Sequence, residues 1–263
     1  MSDLKLNRRD FLKYVGLTGG GILVARLFAS GRVSPLDAAD AVASDAASEA
    51  QSKHRWVMVI DQGKCIGCNY CTYACKAVND IPGEAQWNTV SVEGETTKGP
   101  TYLPRPCMHC ENAPCVEVCP VKATFHRADG LIAMDYAKCI GCRYCEIACP
   151  YGARIFNWQD PSKLSNAYVP KWGVPEIPRR QRGVVEKCTF CAHRIDWGLA
   201  NGQVPGVDRE ATPACVNACP VGARLFGNLN DPASPVSQVL AKRRSFRLRD
   251  DLGTNPRVYY LPA

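Results

Sequence analysis

Long apolar runs are missing from this chain of 263 residues. The stretch from Tyr14 to Ala29 is broken by Gly19, Gly20, Gly21 and Arg26, so it falls short of the roughly twenty residues a membrane span needs. Nothing of that kind follows Cys219, the last cysteine, and no C-terminal membrane anchor is expected. Also missing are a Ser/His/Asp constellation, a catalytic carboxylate pair and an evident cofactor loop. Their absence removes the usual grounds for a chain that turns over a substrate by itself. No cysteine precedes Cys65, which excludes a lipoprotein cysteine behind a leader, and none is left over once the cysteines are sorted into groups.

What the chain has in quantity is cysteine, sixteen residues in four sets of four. Residues Cys139 to Pro150 read CIGCRYCEIACP, the pattern C-x2-C-x2-C-x3-C-P. Three thiolates spaced this way on a tight loop can wrap three corners of a 4Fe-4S cubane, and the fourth, stopped by proline, reaches a neighbouring cluster. Gly141 is expected to let the backbone approach the cluster and aim N–H groups at its sulfurs. The pattern recurs as Cys65, Cys68, Cys71 and Cys75, with Asp61-Gln62-Gly63-Lys64 leading in where Asp135-Tyr136-Ala137-Lys138 leads into the other. The remaining groups echo each other too: Cys107, Cys110, Cys115 and Cys119 against Cys188, Cys191, Cys215 and Cys219. Proline follows Cys119, Cys149 and Cys219, whereas Lys76 follows Cys75. Four cubanes fit the count.

Disulfides and structural zinc are the rival uses of cysteine. Disulfide frameworks suit short domains without a core, and they do not crowd cysteines at intervals of two and three residues in repeated sets. Zinc knuckles draw on two well-separated pairs, unlike three closely spaced thiols with a distal fourth. Sixteen cysteines also imply metal cores in place of much of the usual hydrophobic interior. The expected fold is α+β: tandem two-cluster ferredoxin-like modules, loop-rich, with short strands and helices. The net charge of +7 could suit nucleic acid or a membrane surface. Negative all-cysteine clusters would offset it, so neither partner is expected.

Asn7-Arg8-Arg9-Asp10-Phe11-Leu12-Lys13 resembles a twin-arginine export signature, assigning residues 1–30 to a leader and 31–54, rich in alanine, serine and aspartate, to a linker. Residues 55–263 form the expected four-cluster domain with a C-terminal extension. Strands are expected at Trp56–Ile60, Leu131–Met134, Arg154–Trp158 and Arg224–Gly227. Glu93–Pro104 and Asp160–Gln181 are expected to be surface loops. His193 is expected to be structural, because cysteines satisfy every cluster corner, and the basic stretch from Lys242 to Arg249 to be a solvated or docking face.

From about Trp56 to the C-terminus the chain resembles the iron-sulfur subunits of the molybdopterin oxidoreductase complexes of anaerobic respiration, in particular exported polysulfide-reductase-like members. The resemblance rests on the four groups, on Cys107-Met108-His109-Cys110-Glu111-Asn112-Ala113-Pro114-Cys115, on Lys187-Cys188-Thr189-Phe190-Cys191-Ala192-His193-Arg194, and on Pro256-Arg257-Val258-Tyr259-Tyr260-Leu261. It implies [4Fe-4S] clusters on Cys65, Cys68, Cys71 and Cys219; on Cys188, Cys191, Cys215 and Cys75; on Cys107, Cys110, Cys115 and Cys149; and on Cys139, Cys142, Cys145 and Cys119. It implies a non-catalytic electron-transfer subunit placed between a molybdopterin-containing catalytic subunit and an integral membrane quinone-reactive subunit. The chain would lie outside the cytoplasm, peripheral to the membrane through its partner. An exported hydrogenase or sulfur-metabolism complex is the alternative setting, and a self-standing reductase the remaining one. Lys64, Lys138, Lys187 and Arg143 adjoin ligands in sequence and are expected to favour reduced clusters.

Overall fold

Strand β1 (Trp56–Asp61) is buried along its whole length, as a continuous apolar run with covered faces on both sides requires. It is the central strand of a three-stranded sheet in the computed structural model, which describes residues 53–97 and 99–263. The leader and nearly all of the linker expected before Arg55 lie outside the described residues. On one side β1 pairs antiparallel with β8 (Arg224–Asn228), Trp56 opposite Asn228 and Ile60 opposite Arg224. On the other it pairs in parallel with β9 (Val258–Leu261), Met58 opposite Val258. Alternation sends Trp56, Met58 and Ile60 into the main core with Phe226, Val258 and Tyr260. Val57 and Val59 face a smaller core with Leu261 and with Val236, a residue of α6 (Pro235–Lys242).

The remaining elements fall into an outer and an inner module. In the outer one, α1 (Tyr70–Val78) packs on α5 (Ala214–Asn217) beside the β1–β8 pair. In the inner one, α2 (Pro114–Glu117) packs on α3 (Tyr144–Ala148), and β4 (Thr124–His126) pairs antiparallel with β5 (Ile132–Met134). A two-stranded pair of β6 (Arg154–Phe156) and β7 (Val185–Lys187) follows, then α4 (Ala192–Ala200). The expected strands are thus present, and the content is mixed helix and strand in short pieces. Among the described residues no helix is long and apolar enough to cross a membrane.

Of the two expected loops, one is a strand pair and the other is a loop held in place. Glu93–Pro104 lies within a hairpin of β2 (Thr89–Thr96) and β3 (Gly99–Arg105), with Thr89 opposite Arg105. Its exposed tip is polar, which hides the pairing in the sequence, while Leu103 at the inner end is buried and Tyr260 Oη donates to Pro104 O at 2.9 Å. Asp160–Gln181 is indeed irregular apart from a 3-10 turn at Pro161–Lys163, yet it is firmly tied down. Arg179 pairs with Asp80 at 2.8 Å. Arg180 is buried, donates to the carbonyls of Asn79 and Asp80 just beyond α1, and pairs with buried Glu186 of β7. Those carbonyls would otherwise be orphaned at the helix end. Glu186→Ala leaves the guanidinium buried and unpaired, so it is expected to cost about 3–5 kcal/mol in anaerobic denaturant unfolding of the metal-loaded protein.

Candidate metal centres

The first and third cysteine groups form matching loops. Asn69 and Arg143, which precede α1 and α3, are both left-handed, with φ of 61° and 63°. The loop glycines Gly67 and Gly141 match as well, at φ +69° and +70°. A Cβ on Gly141 would stand 2.2 Å from Gly183 O, so glycine is required here by a crossing backbone as well as by its own φ. That is a different reason from the expected approach to a cluster. Gly141→Ala is expected to destabilise the protein by about 1–3 kcal/mol, read as a lowered midpoint of thermal unfolding. In the second and fourth groups His109 (φ 44°) and Phe190 (φ 54°), each immediately before the second cysteine of a C-x2-C pair, are left-handed, and so is Cys191 itself (φ 53°). Pro114 opens α2, and Pro213 caps α5, where a missing N–H costs nothing.

All sixteen cysteines are free of disulfides. Cys65, Cys68, Cys71 and Cys219 line one cavity together with Gly67 and Arg224. Burial pushes the Cys75 thiol well up, and its neighbours Cys188, Cys191 and Cys215 push it further, followed by Cys71. Burial and then Cys107, Cys115 and Cys149 push Cys110 up to about 12. Cys145 is raised by burial and feels both Cys115 and Cys139. Cys142 lies on the same loop as Cys139 and Cys145, and Cys119 directly follows α2, the helix packed on α3. The thiols surround spaces rather than points: among the described residues no three His, Cys, Asp or Glu side chains converge as ligands of a single ion. An all-thiol donor set with that spacing fits a polynuclear iron-sulfur core.

These neighbourhoods join end to end. Cys71 acts on both Cys75 and Cys215, Cys107 acts on Cys188, and Cys115 acts on Cys145. Cys75, Cys188, Cys191 and Cys215 are buried, whereas Cys65, Cys68 and Cys219 are partly exposed and Cys142 is fully so. N–H groups already address several sulfurs. Asn88 Nδ2 lies 3.3 Å from Cys71 Sγ, and Asn79 Nδ2 lies 3.7 Å from the sulfurs of both Cys75 and Cys191. The backbone N–H groups of Phe190 and Ala223 donate to Cys188 and Cys219 at 3.4 and 3.2 Å.

Known proteins share this layout. Two protein-family models described as 4Fe-4S dicluster domains match the chain, one at residues 100–165 and the other twice, at 48–123 and 138–223. The chain is 42% identical over 229 residues to the iron-sulfur cluster-binding subunit of menaquinone reductase from Nitratidesulfovibrio vulgaris, covering 80% of this chain and 89% of the relative. It is 36% identical over 263 residues to a subunit of tetrathionate reductase from Salmonella typhimurium, covering 97% and 88%. A chain of polysulfide reductase from Wolinella succinogenes is 35% identical over 213 residues, covering 79% and 94%. This protein belongs to the iron-sulfur subunits of the molybdopterin oxidoreductases. It carries tandem 4Fe-4S dicluster domains of the ferredoxin type, and its sixteen cysteines fit four [4Fe-4S] clusters.

In this iron-sulfur subunit the cations next to ligands in sequence mostly face solvent or pair with other side chains. Lys138 has 64% of its side chain exposed and pairs with Asp135, and Lys64 is exposed. Arg143 stacks on Trp158, 4.5 Å from the ring centroid, and pairs with Glu146 at 2.8 Å. Charges in water are screened within about 10 Å, so the expected effect of these three on clusters is small. Lys187 alone of the four is buried; its Nζ donates to the carbonyls of Ile132 and Cys188.

His109, which sequence reasoning passed over, links the two modules. It is fully buried and stacks on Phe190 with centroids 4.0 Å apart. Its Nδ1 accepts from Ile132 N at 3.1 Å, which leaves Nε2–H to donate to Cys188 O at 3.1 Å. Burial, Lys187 and Arg257 hold the ring well below the usual histidine range and therefore neutral. His193 pairs with Glu176 at 2.9 Å, in keeping with a structural role. Arg154 and Arg224, also passed over, carried one available signal: each ends a C-P-x-G-A-R run, at Cys149–Arg154 and Cys219–Arg224.

Proposed function

We propose that this subunit relays single electrons between a molybdopterin-containing catalytic subunit and a quinone-reactive membrane subunit on the extracytoplasmic side. Its ligand sets would be Cys65, Cys68, Cys71 and Cys219; Cys75, Cys188, Cys191 and Cys215; Cys107, Cys110, Cys115 and Cys149; and Cys119, Cys139, Cys142 and Cys145. Each [4Fe-4S] centre, when bound, supplies one-electron redox chemistry. The chain's own residues do the rest. Thiols hold the centres in file, N–H groups from Asn79, Asn88, Phe190 and Ala223 steady the sulfurs, and the apolar core keeps water from the two middle sets.

The observation that carries this reading is the file of thiol neighbourhoods, with six of eight thiols buried in the two middle sets and only two of eight, Cys71 and Cys145, in the end sets. Exposed apolar side chains flank each end: Ile66 and Tyr70 at one, Ile140, Tyr144 and Ile147 at the other. Surfaces of that kind suit docked subunits. Iron and acid-labile sulfide analysis of anaerobically purified protein, with a reductive EPR titration, tests the count; far fewer than four centres sinks the proposal. Co-purification with a molybdenum-containing chain supports the partner, and a nickel-containing chain in its place overturns it.

The export side of the proposal rests on the twin-arginine pattern around Arg8 and Arg9. Replacing both by lysine is expected to leave the loaded subunit in the cytoplasm, read by cell fractionation.

A further inference from the structure

Among the described residues, two buried arginines have no carboxylate to answer them. Arg154 opens β6 and Arg224 opens β8, and they are 4% and 3% exposed. Their hydrogen-bond acceptors among the described residues are neutral. Arg154 Nη1 donates to Thr124 Oγ1 at 3.0 Å and to Met134 Sδ at 3.1 Å. Arg224 Nη2 donates to Asn88 Oδ1 at 2.6 Å, and its Nη1 lies 3.5 Å from Met58 Sδ. Nη2 of Arg154 is buried with no protein acceptor. A guanidinium taken out of water without a countercharge carries a heavy desolvation cost.

The countercharge available is sulfur. Against the effect of burial, Arg154 is held in its charged form by Cys115, Cys145 and Cys107, and Arg224 by Cys71, Cys215, Tyr260 and Cys219. Each arginine reaches both thiol sets of one module: Arg224 lines the cavity of Cys65, Cys68, Cys71 and Cys219 and hydrogen-bonds Cys215, and Arg154 hydrogen-bonds Cys115 and Cys145. Arg154 addresses the set with Cys107 and Cys115 and the set with Cys145; Arg224 addresses the set with Cys71 and Cys219 and the set with Cys215.

Each arginine ends a C-P-x-G-A-R run, at Cys149–Arg154 and Cys219–Arg224, so the two modules place it at matching positions, whereas the run after Cys119 ends in Thr124. Thr124 accepts a hydrogen bond from Arg154, which comes from a different strand.

We propose that Arg154 and Arg224 are positioning residues, one fixed cation between the two clusters of each module, which raise the reduction potentials of both clusters in that module together. This inference rests on the ligand sets of the proposed relay. A reduced cluster carries one more negative charge than an oxidised one, so a cation at hydrogen-bond range in a water-poor interior favours the reduced state.

The test is an anaerobic redox titration followed by EPR on the intact loaded subunit and on its Arg154→Met, Arg154→Lys, Arg224→Met and Arg224→Lys variants, with iron and sulfide measured on each. Arg154→Met is expected to shift two of the four potentials to more negative values and leave the other two in place. Arg224→Met is expected to move the complementary pair, and each lysine variant to stay near wild type. If a methionine variant fails to hold its own pair of clusters while the lysine variant holds all four at wild-type potentials, the need for charge is equally upheld. Unmoved potentials in a fully loaded methionine variant overturn the inference. So does an equal shift of all four, or cluster loss in the methionine and lysine variants alike, which marks a packing role. A wild-type protein short of four centres would defeat the ligand assignment itself, whereas a wild-type protein with four centres and insensitive variants defeats only the role of the arginines.

Discussion

Cys75→Ala is expected to disable a centre whose other three thiols, Cys188, Cys191 and Cys215, lie more than a hundred residues away in the chain, while sparing the one beside it in sequence. Cys75 sits in α1 with Cys71, and sequence proximity alone would assign both to one cluster. The environment of its thiol says otherwise, since burial and three cysteines of the fourth group dominate it and Cys71 comes after them. In EPR titration one of four signals is expected to vanish or change to a three-iron form, with the Cys65, Cys68 and Cys71 signal retained. Electron transfer through the proposed complex is expected to fall to background, because the lost centre is in the interior of the file. If the variant disturbs the Cys65 centre and spares the other, the cross-linking of the first and fourth groups is wrong.

Removal of iron is expected to unfold the described residues outright. Six cysteines, Cys71, Cys75, Cys107, Cys110, Cys188 and Cys215, belong to the main core itself, packed with Trp56, Ile60, Phe190 and Tyr260. Without metal their thiols protonate, as the upward push of burial on Cys75, Cys110, Cys188 and Cys215 requires. Protonated thiols no longer answer Arg154, Arg224 and Lys187. A buried charge stripped of its partner costs about 3–5 kcal/mol, and two or three such losses equal the whole of an ordinary domain's stability, about 5–15 kcal/mol. Anaerobic chelator treatment followed by circular dichroism and limited proteolysis is the check. A stripped protein that keeps a cooperative thermal transition within a few degrees of the loaded one would contradict this account.

The first and third cysteine groups were readable in the sequence because their ligand spacing is local: i, i+3 and i+6 positions on one loop are close whatever the rest of the fold does. The buried strand β1 was readable for a similar reason, as five apolar residues in a row leave little choice. What escaped was set by partners distant in sequence. Val258–Leu261 is an ordinary apolar tetrad until β1 is there to pair with it. Arg154 and Arg224 look like surface residues in the sequence, since arginine is seldom buried, and only the assembled thiols give them a reason to be inside. Lys138 and Arg143 show the converse. Adjacency to a ligand along the chain suggests that they lie near the sites, yet their side chains turn outward to Asp135, Glu146 and Trp158.

The nesting of one module inside the other sets an order of assembly. Under the proposed ligand sets, both inner centres have all their thiols once Cys149 has been made, and the inner hairpin β4–β5 is then complete as well. The outer module cannot close so soon. Cys71 waits for Cys219, 148 residues later, and both strands that flank β1 come from residue 224 onward. A nascent chain therefore holds its first four cysteines open through most of synthesis, and the centres formed last are those that join its earliest cysteines to its latest.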